Sequence, residues 1–162
     1  MTGGCHVKPD GNILTAPASI GDSHPTGHTR RGATGQISDM AGRILLIEDE
    51  ANIAEALRFL LTRDGWQVET HADGATATAL IRTLLPDVVI LDVMLPGRSG
   101  YEILDDLRAD PALKSLPVLI LTARGQDRER AQAAARGASL FMTKPFANAD
   151  LLAGLRTLVP ER

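Results

Sequence analysis

From Met40 onward the sequence predicts an α/β fold, a doubly wound parallel sheet with helices on both faces. Three observations predict it. Five short strand-like runs alternate with five segments of helical period over about 120 residues. Runs such as "RILLI" and "DVVIL" carry almost no polar alternation, so both faces of each strand must be covered, as in parallel sheets. Right-handed crossovers then leave few topologies, and the strand order 2-1-3-4-5 is the expected five-strand solution.

The elements follow in order. "RILLI", from Arg43 to Ile47, reads as a buried strand. In "ANIAEALRFLLTRDG", Ile53, Ala54, Leu57, Leu60 and Leu61 share one helical face and Gly65 is the stop. "WQVET" is a short alternating strand. "GATATALIRTLL" sets Ala77, Leu80, Ile81, Leu84 and Leu85 at helical spacing, all expected inward, before Pro86 ends the helix. "DVVIL" is the third strand, and "SGYEILDDLRAD" a third helix closed by Pro111. "PVLIL" is the fourth strand and opens on Pro117, where a missing N–H is tolerated. "DRERAQAAARG" is a polar, alanine-rich helix and "SLFM" the fifth strand. "ADLLAGLRTLV" is the last helix, with Leu151, Leu152, Leu155, Leu158 and Val159 inward.

Residues 1–39 differ in kind. They hold seven of the 15 Gly, three of the nine Pro and three of the four His, with no apolar period. Such a stretch cannot bury enough surface to offset its ordering entropy, so a disordered N-terminal tail is expected there. His24 and His28 are four apart, but Pro25 and Gly27 between them argue against a metal-binding helix. The 162 residues carry a net charge of −3, with no basic excess pointing to nucleic acid. No apolar run reaches the roughly 18 residues of a membrane span. The N-terminal stretch lacks the apolar core of a secretory signal. The lone Cys5 makes no internal disulfide, so a cytoplasmic protein without a membrane partner is expected.

The chemistry gathers where the strands end. The first strand runs into Glu48, Asp49 and Glu50, the third into Asp92, the fourth into Thr122, and the fifth into Lys144-Pro145. In a parallel sheet these ends share one edge, where ligands of such sheets sit. Each residue alone is ordinarily a cap or a solvated loop residue. Together they are not ordinary, because buried like charges repel and need a cation. Carboxylates with a backbone carbonyl, here that of Met94, suit Mg²⁺. Metal and ammonium would neutralise phosphoryl oxygens while Asp92 attacks in line, a setting for phosphoryl transfer to a carboxylate.

"RILLIEDE", "VVILDVMLPGRSG", "PVLILTA" and "FMTKPF" closely resemble the receiver domain of two-component response regulators, of the CheY-like single-domain type. The resemblance runs from Arg43 to about Leu158 and implies a flavodoxin-like (βα)5 fold. It implies that residues 40–162 form the receiver, and that Asp92 accepts a phosphoryl group from a histidine kinase or phosphotransfer protein. Asp49 would bind Mg²⁺ directly, with Asp92 and the Met94 carbonyl, and Glu48 through water. Thr122 would hydrogen-bond the phosphoryl group and Lys144 pair with it. Phe141 stands at the family's switching aromatic, and Lys144-Pro145 would be cis. Such a chain is a phospho-acceptor switch that assists its own phosphorylation and dephosphorylation, not an enzyme acting on a separate substrate.

Rival readings fit less well. A flavin-binding protein of this fold needs a Ser/Thr-rich phosphate loop after the first strand, where this chain has "EDEAN". An aspartyl-phosphate phosphatase of the haloacid dehalogenase type needs an Asp two residues past the nucleophile, where Met94 stands. A docking scaffold that is never phosphorylated would lack one of the acids, the Thr or the Lys. Only Pro160, Glu161 and Arg162 follow the last helix, so no output domain is expected. Output would then be a contact with a downstream target protein through the fourth helix, fifth strand and fifth helix. The charged pairing face of dimeric relatives keeps Arg130 and Asp150, but Leu140 and Gly154 replace two of its charges. A monomer with an exposed Leu140 is the expectation.

Overall fold

A computed structural model of the chain describes residues 42–160; the expected tail lies outside the described residues. The elements are β1 (Arg43–Ile47), α1 (Ala51–Arg63), β2 (Gln67–His71), α2 (Gly74–Leu84) and β3 (Val88–Asp92). They continue with α3 (Gly100–Ala109), β4 (Val118–Thr122), α4 (Asp127–Ala135), β5 (Leu140–Thr143) and α5 (Asn148–Leu158). All strand pairings are parallel and the order is β2-β1-β3-β4-β5, as the apolar runs predict.

Alternation along the strands builds two cores. Leu45, Ile47, Val89, Leu91, Val118 and Ile120 face one side, under Ala77 and Ile81 of α2, Ile103, Leu104 and Leu107 of α3, and Ala133 of α4. Ile44, Leu46, Val88, Ile90, Leu119 and Leu121 face the other, under Leu57 and Leu61 of α1 and Leu151 and Leu155 of α5. The three central strands are buried along nearly their whole length, which is why they lack polar alternation. Among the described residues, no helix is long and apolar enough to cross a membrane.

Several expectations need correction. Leu85 does not point inward: α2 ends at Leu84, and Leu85 caps it in the left-handed region (φ 46°), leaving its side chain 66% exposed. β2 starts at Gln67, one residue late, because Trp66 is buried beneath α1 and its N–H donates to the Leu61 carbonyl. β3 and β4 also start one residue late, at Val88 and Val118, with Pro117 just before β4; β5 likewise starts at Leu140, since the Ser139 hydroxyl accepts from the Val118 N–H and ties the strand's entry to β4. Leu140 itself is half-buried in the α1/α5 core. A Cβ added to Gly154 would lie 2.5 Å from Leu140 Cδ2, so Leu140 packs on the bare Cα of Gly154 and is not the exposed residue expected.

Candidate functional site

Register explains how the site assembles. Ile47 pairs with Leu91, so Glu48 and Asp92 follow at one level on neighbouring strands. Asp92 pairs with Leu121 and Thr122 with Thr143, so Thr122 and Lys144 lie successively further along the same edge. Side-chain parity then divides them. Glu48, Asp92 and Lys144 continue the alternation of the α1/α5 face, whereas Thr122 and Phe141 share the parity of Ile120 on the opposite face.

Lys144 Nζ donates to Glu48 Oε2 at 2.6 Å and to Asp92 Oδ2 at 2.8 Å. The three side chains are 13%, 1% and 5% exposed. Burial, the largest influence, raises the Glu48 carboxyl above its ordinary value, although Lys144 pulls it down. Burial would lower the Lys144 ammonium, but hydrogen bonds to Asp92 and Glu48 outweigh it and hold the ammonium above its ordinary value. The Lys144 N–H donates to the Thr122 carbonyl, and the Lys144-Pro145 bond is cis. Glu50 caps α1, and its N–H donates to Glu48 Oε1.

Glu48, Asp49 and Asp92 each offer a carboxylate oxygen, all within 4.8 Å of one another. One ammonium already serves two of these acids, and Asp49 reaches the site from an exposed position. An all-oxygen set with surplus negative charge and an open side fits a hard divalent cation that keeps some of its water. Met94 is 55% exposed, and its N–H donates to Asp92 Oδ1 at 3.0 Å, a contact the sequence did not announce. The Thr122 hydroxyl accepts from the Arg124 N–H. Phe141 is half-buried, with the Arg130 guanidinium 5.3 Å from its ring centroid.

The loop after Asp92 is pinned at its far end. Ser99 and Glu102 form a reciprocal cap on α3, and Arg98 Nη1 donates to Asp106 Oδ2 at 2.5 Å. On the opposite side of the site a groove of about 790 Å³ runs along α1, lined by Ile53, Leu57, Phe59, Lys144, Pro145 and Phe146. Two contributors went unread in the sequence. Gly74, whose N–H donates to the Pro96 carbonyl, was visible only as a glycine in the first turn of a helix. The exposed Phe59 was visible as an apolar residue off the buried stripe of α1.

The response regulator receiver domain model matches residues 44–156. The phosphate regulon regulatory protein PhoB of Rhizobium meliloti is 38% identical over 120 residues, covering 74% of this chain and 53% of its own length. The response regulator PleD of Caulobacter vibrioides is 40% identical over 120 residues, covering 74% of this chain and 26% of its own. This chain therefore spans about half of the one relative and about a quarter of the other. The chemotaxis protein CheY4 of Vibrio cholerae superposes with a TM-score of 0.68 at 30% identity, covering 74% of this chain and 99% of that one. The BeF3-activated receiver domain of Klebsiella pneumoniae RstA gives 0.67 at 29% identity, covering 73% and 98%.

Proposed function

The chain belongs to the response regulator receiver family, and from that premise we propose that it is a phosphorylation-dependent switch whose acceptor is Asp92. The observation that carries this reading is the buried Asp92 carboxylate gripped by Lys144 Nζ and by the Met94 N–H at the open edge of the sheet. A carboxylate oxygen of Asp92 attacks the phosphorus of a phosphohistidine on a histidine kinase or phosphotransfer protein. The P–N bond breaks, and the imidazole leaves with the electron pair. Asp49, Asp92 and the Met94 carbonyl are the residues that would hold Mg²⁺, with Glu48 acting through water. The bound ion would supply charge neutralisation on the phosphoryl oxygens. Lys144, released from Asp92 Oδ2, pairs with the new phosphoryl group, and Thr122 donates its hydroxyl to it. The chain is then the substrate of the transfer and assists it, without being an enzyme for anything else.

Output follows from where Thr122 and Phe141 lie. Phosphorylation adds about −1.5 to −2 charges at the pocket. Thr122 moves toward that charge, Phe141 follows, and the face of α4, β5 and α5 changes shape for a target protein. With Leu140 packed on Gly154, that face lacks a charge pair a dimer would use, so the activated chain stays monomeric in the cytoplasm. Sedimentation with Mg²⁺ and beryllofluoride tests this; a dimer that Arg130→Ala abolishes would refute it. The principal test is labelling by a phosphohistidine donor or a small acyl phosphate. Asp92→Asn abolishes Mg²⁺-dependent labelling and keeps the fold, Asp49→Ala slows labelling, and Lys144→Ala uncouples labelling from the response. Undiminished labelling of Asp92→Asn overturns the reading.

A further inference from the structure

The loop of residues 93–99 is pressed between two glycines that leave no room for a side chain. A Cβ on Gly100 would lie 2.2 Å from the Asp92 carbonyl oxygen. A Cβ on Gly74, which comes from a different element, would lie 2.3 Å from the Arg98 carbonyl oxygen, 3.0 Å from that of Pro96 and 3.1 Å from the Arg98 nitrogen. All three of these atoms are main chain. The Gly74 N–H donates to the Pro96 carbonyl at 3.1 Å, and the Arg98 N–H shares that acceptor at 2.9 Å, closing a turn on Gly97 at φ 80°. The first turn of α2 is thus seated on the backbone of the loop that leaves Asp92.

We propose that Gly74 is a positioning residue for the acceptor: its bare Cα lets α2 seat against this loop and so sets where the Met94 N–H holds the Asp92 carboxylate. The claim rests on the reading of Asp92 as the phospho-acceptor. Non-bonded contact begins at roughly 3.5 Å, so even one methyl group at position 74 has to part the two backbones by about an ångström. The loop is tied at its far end, where Arg98 is bonded to Asp106 and Ser99 sits in the cap of α3. The displacement passes instead toward Met94, two residues before Pro96. A misplacement of about 1 Å at a reacting group can lower a rate by about a hundredfold.

The test compares Gly74→Ala with Ile81→Val, which weakens the same helix from its core side. In Mg²⁺-free Gly74→Ala the Met94 amide resonance moves. Mg²⁺ binding and acyl-phosphate labelling fall by about tenfold or more, whereas Ile81→Val leaves all three unchanged. A folded Gly74→Ala with an unmoved Met94 amide and wild-type labelling overturns the proposal. Should Gly74→Ala not fold, the coupling is read in the reverse direction in the wild type. Mg²⁺ with beryllofluoride then shifts the Gly74 amide and leaves that of Arg82 in place; a stationary Gly74 amide overturns the proposal. If the wild type is never labelled, the reading of Asp92 fails, and the Met94 amide in Gly74→Ala still decides the positioning claim.

Discussion

Helices α3 and α4 cover the same face of the sheet, and each follows a strand that ends in the site, yet different forces hold them. α3 buries Ile103, Leu104 and Leu107 and starts in a reciprocal Ser99–Glu102 cap. Its Arg108 donates to the Gly137 carbonyl at 2.9 Å and the Leu116 carbonyl at 3.0 Å. α4 fully buries only Ala133, and its N-cap residue Gln126 makes no side-chain cap bond. It is held instead by Arg136, which pairs with Asp105 and lies 5.4 Å from the Tyr101 ring centroid, and by Arg130 over Phe141. Glu129 Oε2 is buried there with no hydrogen-bond partner among the described residues. Three large aliphatic side chains stabilise α3 by about 1.5–3 kcal/mol each, whereas each exposed cation–π contact on α4 contributes about 0.5–1 kcal/mol. The difference teaches where rigidity is placed. The helix behind the acceptor loop is fixed by packing, and the helix behind Thr122 is fixed by contacts weak enough to exchange.

Truncation gives the largest expected contrast. Leu104→Ala lowers unfolding free energy by about 2–5 kcal/mol in chemical denaturation, and Ala133→Gly by about 1 kcal/mol. Equal losses would erase the distinction between the helices. Caps come next. Ser99→Ala loses about 0.5–2 kcal/mol, while Gln126→Ala stays within about 0.5 kcal/mol. The reverse change, Gln126→Ser, raises the melting temperature by giving α4 the cap it lacks.

A pH series sharpens the α3 side. The hydrogen bond from Arg98, more than any other influence, holds the Asp106 carboxyl below its ordinary value. A depressed carboxyl stabilises the fold above its unfolded value, about 3.9, and that stabilisation is lost as pH falls through the lower folded value. Arg98→Ala is therefore less stable than wild type at pH 6, and the gap narrows in acid denaturation as pH falls below that unfolded value. A gap that does not narrow as pH falls would mean that Arg98 acts by packing alone. Arg130→Ala costs under about 1 kcal/mol globally. It shows as faster amide exchange confined to α4, and uniform exchange across α3 and α4 would count against a loosely held α4.

The three central strands were legible because burial on both faces leaves unbroken apolar runs, the edge strand β2 because its residues alternate, and the helices because their apolar residues recur at helical spacing and Gly65, Pro86 and Pro111 mark where helices stop. Glu48, Asp49, Asp92, Thr122 and Lys144 were legible as a group because a parallel sheet brings all strand ends to one edge. Leu85 was misread because helical spacing says nothing of the residue at which the backbone turns left-handed. Leu140 was misread because its neighbour Gly154, fourteen positions on, is visible only across the packed α5–β5 contact.

The sequence by itself determined the order of the elements, the strand order and the residues that meet, since these follow from periodicity and chain connectivity. Tertiary structure alone decided that one ammonium serves both Glu48 and Asp92, that Thr122 and Phe141 take the opposite face from them, and that α2 seats on the acceptor loop through Gly74. Those outcomes depend on ångström-scale contact between segments remote in the chain. Pattern reports which face a residue takes, whereas only packing reports what it touches there.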